Sequence, residues 1–258
     1  MLILLPPSEG KAAPQSGPRF AEARLAWPEL NPARRVVLDA LVQLCRSSAK
    51  RASTVLGLGA KQAAFVEVNA HLRTAPAAAA IQIYSGVLYE ALDFAALPAT
   101  VRTRGLKRLA IASALWGLVR PDDRIPAYRF SADSRIPGLA PLSQLWGPLL
   151  GDVISKERGL IIDLRSGAYE KLAPIPAPCA ARAVSLRILH DQGGRLTVVS
   201  HHNKATKGRI TAALLHQAKA PATIDGLVDV LHSHGYRVTK SDPTRSGTTL
   251  LDVIVREL

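Results

Sequence analysis

Cysteine is scarce. The 258-residue chain has only Cys45 and Cys179, far apart and outside any Cys-x-x-Cys spacing. That argues against a disulfide scaffold, a thiolate metal site and a dithiol redox centre. Long apolar runs are absent too: Met1-Leu-Ile-Leu-Leu5 has no basic flank and is broken by Pro6-Pro7, too short for a signal peptide or a membrane span. The expectation is a cytoplasmic protein with no membrane partner. No repeat, coiled coil or low-complexity linker divides the chain. Acidic residues are outnumbered, 20 against 33 basic ones, which leaves a net charge of +13 and a pI near 10.3. Part of that excess fits the arginine and alanine enrichment of high-GC genomes, visible at Ala77 to Ala80. The rest points to a polyanion, because Lys and Arg that neutralise phosphates release condensed counterions.

The apolar content, 48%, is enough for one substantial core. Met1 to Leu5 reads as a buried strand, and further strand-like runs occur at 109–112, 160–164, 184–189 and 196–200. Asn31 to Ser47 reads as a helix with Val37, Leu41, Leu44 and Cys45 on one face, Asn31 as N-cap and Pro32 at the first helical position. Other helical stretches are expected at 142–156, 207–219 and 223–233. The end of the chain, Arg237 to Lys240, a turn through Asp242 to Gly247, then Thr248 to Leu258, reads as a hairpin. These elements predict a single mixed α+β domain over residues 1–258 with a central sheet.

Four polar segments carry candidate chemistry. The first, Ser8-Glu9-Gly10-Lys11, leaves the sheet at the end of a strand. The second runs from Ala112 to Arg129. Pro121 and Pro126 stiffen a loop that presents Arg120, Asp122, Asp123, Arg124, Tyr128 and Arg129. This loop is either a ligand site or an ion-pair knot that staples two loops together. In the third, Gly57-Leu-Gly59 followed by Ala63 fits the turn of a helix-hairpin-helix, with Arg51 before it and Lys61 after. Such glycines let backbone approach a phosphate, though they equally serve as ordinary helix caps. The fourth, Ser200 to Arg209, is expected as a strand-to-helix turn where Lys204 and Lys207 form an anion site. His201-His202 lacks acidic or thiol partners at ligand spacing, so no metal and no cofactor is expected. Ser166 reads as a helix N-cap and Tyr169 as a core-edge residue more readily than as nucleophile and acid, since no Gly-x-Ser-x-Gly surrounds the serine.

Nearly the whole chain resembles the YaaA peroxide stress protein family. The resemblance rests on Met1 to Lys11, Tyr84-Ser-Gly-Val-Leu-Tyr89, Ser113 to Asp123 with Tyr128-Arg129, Trp146-Gly147, Leu164 with Ser166 and Tyr169, Ser200 with Lys204 and Lys207-Gly208, and Gly235-Tyr236. It implies a basic cleft, a helix-hairpin-helix element, double-stranded DNA as partner, and protection from hydrogen peroxide that includes lower free iron. By that match Lys11, Arg120, Asp123, Tyr128, Arg129, Ser166, Tyr169, Lys204 and Lys207 are site residues. Two functions stay open. In one, Lys11, Gly57, Gly59, Lys61, Arg120, Arg129, Lys204 and Lys207 grip DNA phosphates. In the other, the cleft is an enzyme site for a nucleotide, nucleobase or damaged base, with Glu9, Asp123, Tyr128, Ser166 and Tyr169 as candidates for catalysis. All the polar loops except the glycine turn are expected to meet at one anion-binding site.

Overall fold

The computed structural model describes residues 1–198, 200–244 and 247–255, with Ser200 and His201 described in backbone only. The strands are β1 (Leu2–Leu5), β2 (Ala78–Ala79), β3 (Leu109–Ser113), β4 (Gly117–Val119), β5 (Arg124–Ile125), β6 (Ile161–Asp163), β7 (Ala183–Gln192), β8 (Arg195–Thr197), β9 (Arg237–Ser241) and β10 (Thr249–Val255). The helices are α1 (Asn31–Ser47), α2 (Ala49–Val55), α3 (Ala64–Ala70), α4 (Ala80–Ile83), α5 (Val87–Leu92), α6 (Ala99–Arg108), α7 (Leu142–Lys156), α8 (Gly167–Leu172), α9 (Ser200–His216) and α10 (Ile224–Ser233).

The expected mixed domain with a central sheet forms. The sheet runs β4-β3-β1-β6-β7-β10-β9, with β8 added to β7. Its five middle strands, β3, β1, β6, β7 and β10, are parallel. Parallel strands are covered on both faces, so they read as continuous apolar runs, and every residue of β1, β3 and β6 is buried. The expected C-terminal hairpin is β9 paired antiparallel with β10, closing one edge of the sheet. Its turn residues Arg245 and Ser246 and the last residues, 256–258, lie outside the described residues. One hydrophobic cluster links the strands to α1, α7, α9 and α10.

Among themselves the parallel strands follow chain order 2-1-3-4-5. From β1 the chain first adds β3 on one side and then β6 on the other. In open sheets of this kind, ligands settle outside the carboxyl ends of the strands where the connections part, here between β1 and β6. The loops after β1, β3 and β6 all leave that same edge.

Two local expectations are corrected. Asn31 is not a side-chain cap of α1: its Oδ1 accepts from the buried Arg34 guanidinium at 2.8 Å, and Leu30 holds the N-cap position. The fourth polar segment is not a strand-to-helix turn, because α9 already begins at Ser200, so Lys204, Lys207 and Gly208 lie inside the helix. Gly208 is there for packing. A Cβ on it would stand 2.3 Å from Leu88 O and 2.9 Å from Leu92 N, so its absence lets α9 press against α5. Among the described residues no helix is long and apolar enough to cross a membrane.

Candidate functional site

At the end of β1, Pro6-Pro7 stops the strand and the chain folds back on itself. The Ser8 hydroxyl donates to Gly10 O at 2.5 Å and accepts from Ser85 N at 3.0 Å, while Lys11 bridges to Tyr84 and Ala12 N donates to Ile83 O at 2.8 Å. This turn points the Lys11 ammonium inward. Lys11 Nζ donates to Ser8 O at 2.8 Å and lies over two rings, 4.4 Å from the centroid of Tyr128 and 5.4 Å from that of Tyr84. Among the described residues no carboxylate pairs with it directly. Burial pulls its pKa down to about 7, the Arg129 charge adds to the fall, and Glu9 opposes it. Glu9 itself is exposed and engages Arg129, whose guanidinium donates to Glu9 Oε2 at 3.3 Å and to Glu9 O at 3.1 Å.

At the end of β3, Ser113 is a hub. Its Oγ accepts from Leu115 N at 3.2 Å and Trp116 N at 3.0 Å and meets the Tyr128 hydroxyl at 2.7 Å, which in turn meets the Tyr84 hydroxyl at 2.9 Å. Tyr89 stacks beside Tyr84 and donates to Pro6 O at 2.7 Å. The turn after Ser113 is locked from below. Trp146 Nε1 donates to Ala114 O at 2.9 Å, and Gly117, at φ +73, leaves room for the Trp146 ring, which a Cβ would approach to 2.8 Å. Burial raises the pKa of Tyr84, Tyr89 and Tyr128, so all three remain protonated phenols at neutral pH.

At the end of β6, Asp163 and Arg165 form a buried bidentate pair, with Nε to Oδ1 at 2.9 Å and Nη2 to Oδ2 at 2.7 Å. Arg165 also donates to Tyr169 O and Ala173 O, which fixes the start of α8. From α9, Lys207 reaches into this edge and donates to Leu164 O at 3.0 Å and Arg165 O at 3.4 Å. Burial lowers the Lys207 pKa, opposed by Asp163 and Glu170. Burial, with Tyr128 and Asp133 nearby, raises that of the Tyr169 hydroxyl. Four of the five tyrosines, Tyr84, Tyr89, Tyr128 and Tyr169, thus bear on one another at the carboxyl edge of the sheet.

Of the residues expected from sequence, Glu9, Lys11, Tyr128 and Arg129 come together, and Tyr169 and Lys207 stand at the neighbouring strand end. Ser166 occupies the N-cap position of α8, but it is exposed and its side chain makes no capping bond. Lys204 is exposed. Arg120 and Asp123 belong elsewhere. Arg120 follows β4 and returns to the start of β3, donating to Lys107 O and Leu109 O at 3.1 Å, pairing with Glu157 at 2.5 Å and stacking on Trp27 at 4.3 Å. Ser113 closes the opposite end of that strand, roughly 13 Å away at about 3.3 Å per residue. The Asp123 carboxylate accepts from Ala26 N at 2.9 Å and Arg120 N at 2.8 Å, and burial raises its pKa against those bonds and Arg34. For these two residues the loop-stapling role is the one the geometry fulfils, and a single site containing Arg120 does not form.

The glycine turn also has a local explanation. Gly57, at φ +64, ends α2: its N–H donates to Thr54 O at 3.2 Å and the Leu58 N–H to Ser53 O at 2.9 Å, the paired bonds of a glycine C-cap. Gly59 sits at φ −74, open to any residue, and nothing crowds either glycine. Lys61 is exposed on the turn that follows. This helical pair is tied to the crevice through Asn69 at the end of α3, which exchanges two hydrogen bonds with the Arg129 backbone, at 2.8 and 3.0 Å.

Sequence reasoning passed over Tyr84, Tyr89, Ser113, Asp163 and Arg165 as site residues. The signal for the first three was their place in the segments that carried the family resemblance. Asp163 and Arg165 are separated by one residue after an apolar strand, and a buried pair at that spacing has no sequence mark of its own. A cavity of about 580 Å³ adjoins the cluster at Tyr84 and Tyr89, and its other walls combine apolar residues such as Phe94, Leu106 and Pro121 with the charged Glu90, Asp93, Arg102 and Asp122. Among the described residues no group of three or more His, Cys, Asp or Glu could hold a metal ion. His202 instead packs edge-on against His190, 5.4 Å between centroids.

A mainly parallel central sheet, with Lys11 held against the Tyr84 and Tyr128 rings at its switch point, defines the class: a protein of mixed α and β structure. The chain belongs to the family described as "Peroxide stress protein YaaA", whose profile matches residues 1–242. It is similar to a UPF0246 protein of Streptomyces coelicolor, 43% identical over the full length of both chains, and to one of Corynebacterium efficiens, 36% identical over 97% of this chain and 100% of the relative. A protein of Campylobacter jejuni described as uncharacterized is 30% identical over 66% of this chain and 70% of its own length.

Proposed function

We propose that this peroxide stress protein works in the cytoplasm by binding duplex DNA through phosphate contacts, with the α2–α3 surface as the grip. The observation that carries the reading is a stretch of one charge sign. From Arg46 to Val66 the chain has Arg46, Lys50, Arg51 and Lys61 and no acidic residue, and all four cations are exposed. Open space around Gly57 and Gly59 would let a phosphate come close to the backbone between them. Nothing in this surface is shaped to read base edges, so sequence preference should be slight. Affinity for a short duplex measured against salt tests it. Neutralising three or four phosphates gives a log–log slope of roughly −3 to −4, at about −0.9 per phosphate, and a flat response would end the reading.

A second reading, an enzyme site for a nucleotide or damaged base at the carboxyl edge of the sheet, is favoured by one specific observation. Lys11 and Lys207 are too enclosed to lie along a duplex, and Lys11 has the depressed pKa of a group suited to proton transfer near neutrality. Phosphate grips on a surface need no such tuning.

A further inference from the structure

Counting donors and lone pairs shows that the hydroxyl chain at the crevice holds one proton more than it can place. Ser113 Oγ has two lone pairs, and both are occupied by the N–H groups of Leu115 and Trp116. Its own proton must therefore go to the Tyr128 oxygen, 2.7 Å away. Tyr128 and Tyr84, 2.9 Å apart, then share one hydrogen bond in which either hydroxyl can donate. Ser113 is close enough to bear on Tyr84 as well, but it has no lone pair left to accept from it. One phenol proton of this pair is thus left without an acceptor among the described residues, on side chains at most 2% exposed, and Tyr84 carries it when Tyr128 donates. A buried donor left unmade costs about 1–3 kcal/mol, so a fold that keeps one next to other donors has a use for it.

Lys11 is the second unspent donor. One of its three protons goes to Ser8 O and the others have no acceptor among the described residues. The charged groups that face it are Glu9, drawn away by Arg129, and Arg129 itself; the faces of Tyr84 and Tyr128 complete its surroundings. The cluster is rich in donors and poor in acceptors.

We propose that Tyr84 and Lys11 form a two-donor receptor for one oxyanion, a carboxylate or phosphoryl group, with Arg129 at its mouth. This rests on the second reading above and gives that site its ligand class. Binding couples to protonation. Lys11, with a pKa near 7, must be an ammonium to hold the anion, so at neutral pH the complex takes up a fraction of a proton from solvent.

Sulfate is a suitable probe because it does not titrate near pH 7. Calorimetry on the full chain in two buffers of different ionisation enthalpy should show sulfate binding with uptake of about half a proton, the fraction of Lys11 left uncharged at its pKa. Tyr84→Phe should weaken binding roughly tenfold, one charge-assisted hydrogen bond. Lys11→Met should abolish it. Lys11→Arg guards against misfolding of the methionine variant, since a fixed cation should keep binding and lose the proton uptake. Parallel titrations with acetate and adenosine monophosphate assign the source: tighter binding of the nucleotide marks a phosphoryl ligand, and tighter binding of acetate a carboxylate. Sulfate binding without proton uptake, equal binding by Tyr84→Phe, or no binding of any of the three anions would each overturn the proposal. Duplex affinity is read separately, so failure of the DNA reading leaves these outcomes unchanged.

Discussion

Replacing Lys11 by methionine removes a charge that the fold holds at a cost. In the unfolded chain the amine has its ordinary lysine pKa, and in the folded protein burial brings it to about 7. Between those two values the unfolded state binds more protons than the native one, so stability should rise with pH across that window, and the cost is fully present below about pH 7. At about 1.4 kcal/mol per pH unit, the ceiling on that cost is roughly 5 kcal/mol. Contact with the faces of Tyr84 and Tyr128 stabilises the ammonium by about 0.5–2 kcal/mol and reduces the penalty. The bond to Ser8 O, worth about 1 kcal/mol, is also lost on substitution. The net expectation is that Lys11→Met is more stable than the parent by about 1–3 kcal/mol at pH 6 and that the gain shrinks as pH approaches 10. Urea unfolding at a series of pH values measures both. A variant that is less stable at pH 6, or a parent whose stability does not climb from pH 7 to 10 relative to the variant, would refute the buried-amine argument.

Other substitutions test the framework. Gly208→Ala drives a methyl into the Leu88 carbonyl and should destabilise the fold by about 3 kcal/mol, seen as a lower midpoint in thermal unfolding. Gly57→Ala should cost about 1–2 kcal/mol in urea unfolding because its φ is positive, whereas Gly59→Ala should stay within about 0.5 kcal/mol; equal costs would contradict the C-cap assignment. Asp163→Asn leaves Arg165 without its countercharge inside the protein and should cost about 3–5 kcal/mol, measured the same way.

How far the sequence could be read depended on the range of the interaction. Elements defined by their own residues were legible: the apolar run of β1, the periodic face of α1, the β9–β10 hairpin. The start of α9 was not, because the polar run from Ser200 to Lys207 has no apolar periodicity and is held as helix partly by the close approach of Gly208 to α5. Within the candidate site, Lys11, Glu9, Tyr128 and Arg129 were found because charge and phenol stood at strand ends. Arg120 and Asp123 were misplaced for the same reason. They share a charged loop with Arg129, but the reversal of direction in β4 sends them to the other end of β3, and no local pattern reveals that. Ser113 and Tyr84 gain their meaning only from the geometry that joins them to Tyr128.

The most direct test of the account compares duplex affinity at low salt for two variants, Lys50→Glu/Arg51→Glu/Lys61→Glu on the exposed α2–α3 surface and Lys11→Met in the crevice. If DNA is held on that surface and the crevice serves a small anion, the triple variant should lose at least a hundredfold in affinity while Lys11→Met binds within about twofold of the parent. A triple variant that binds DNA as well as the parent, or a larger loss from Lys11→Met than from the triple variant, would contradict it.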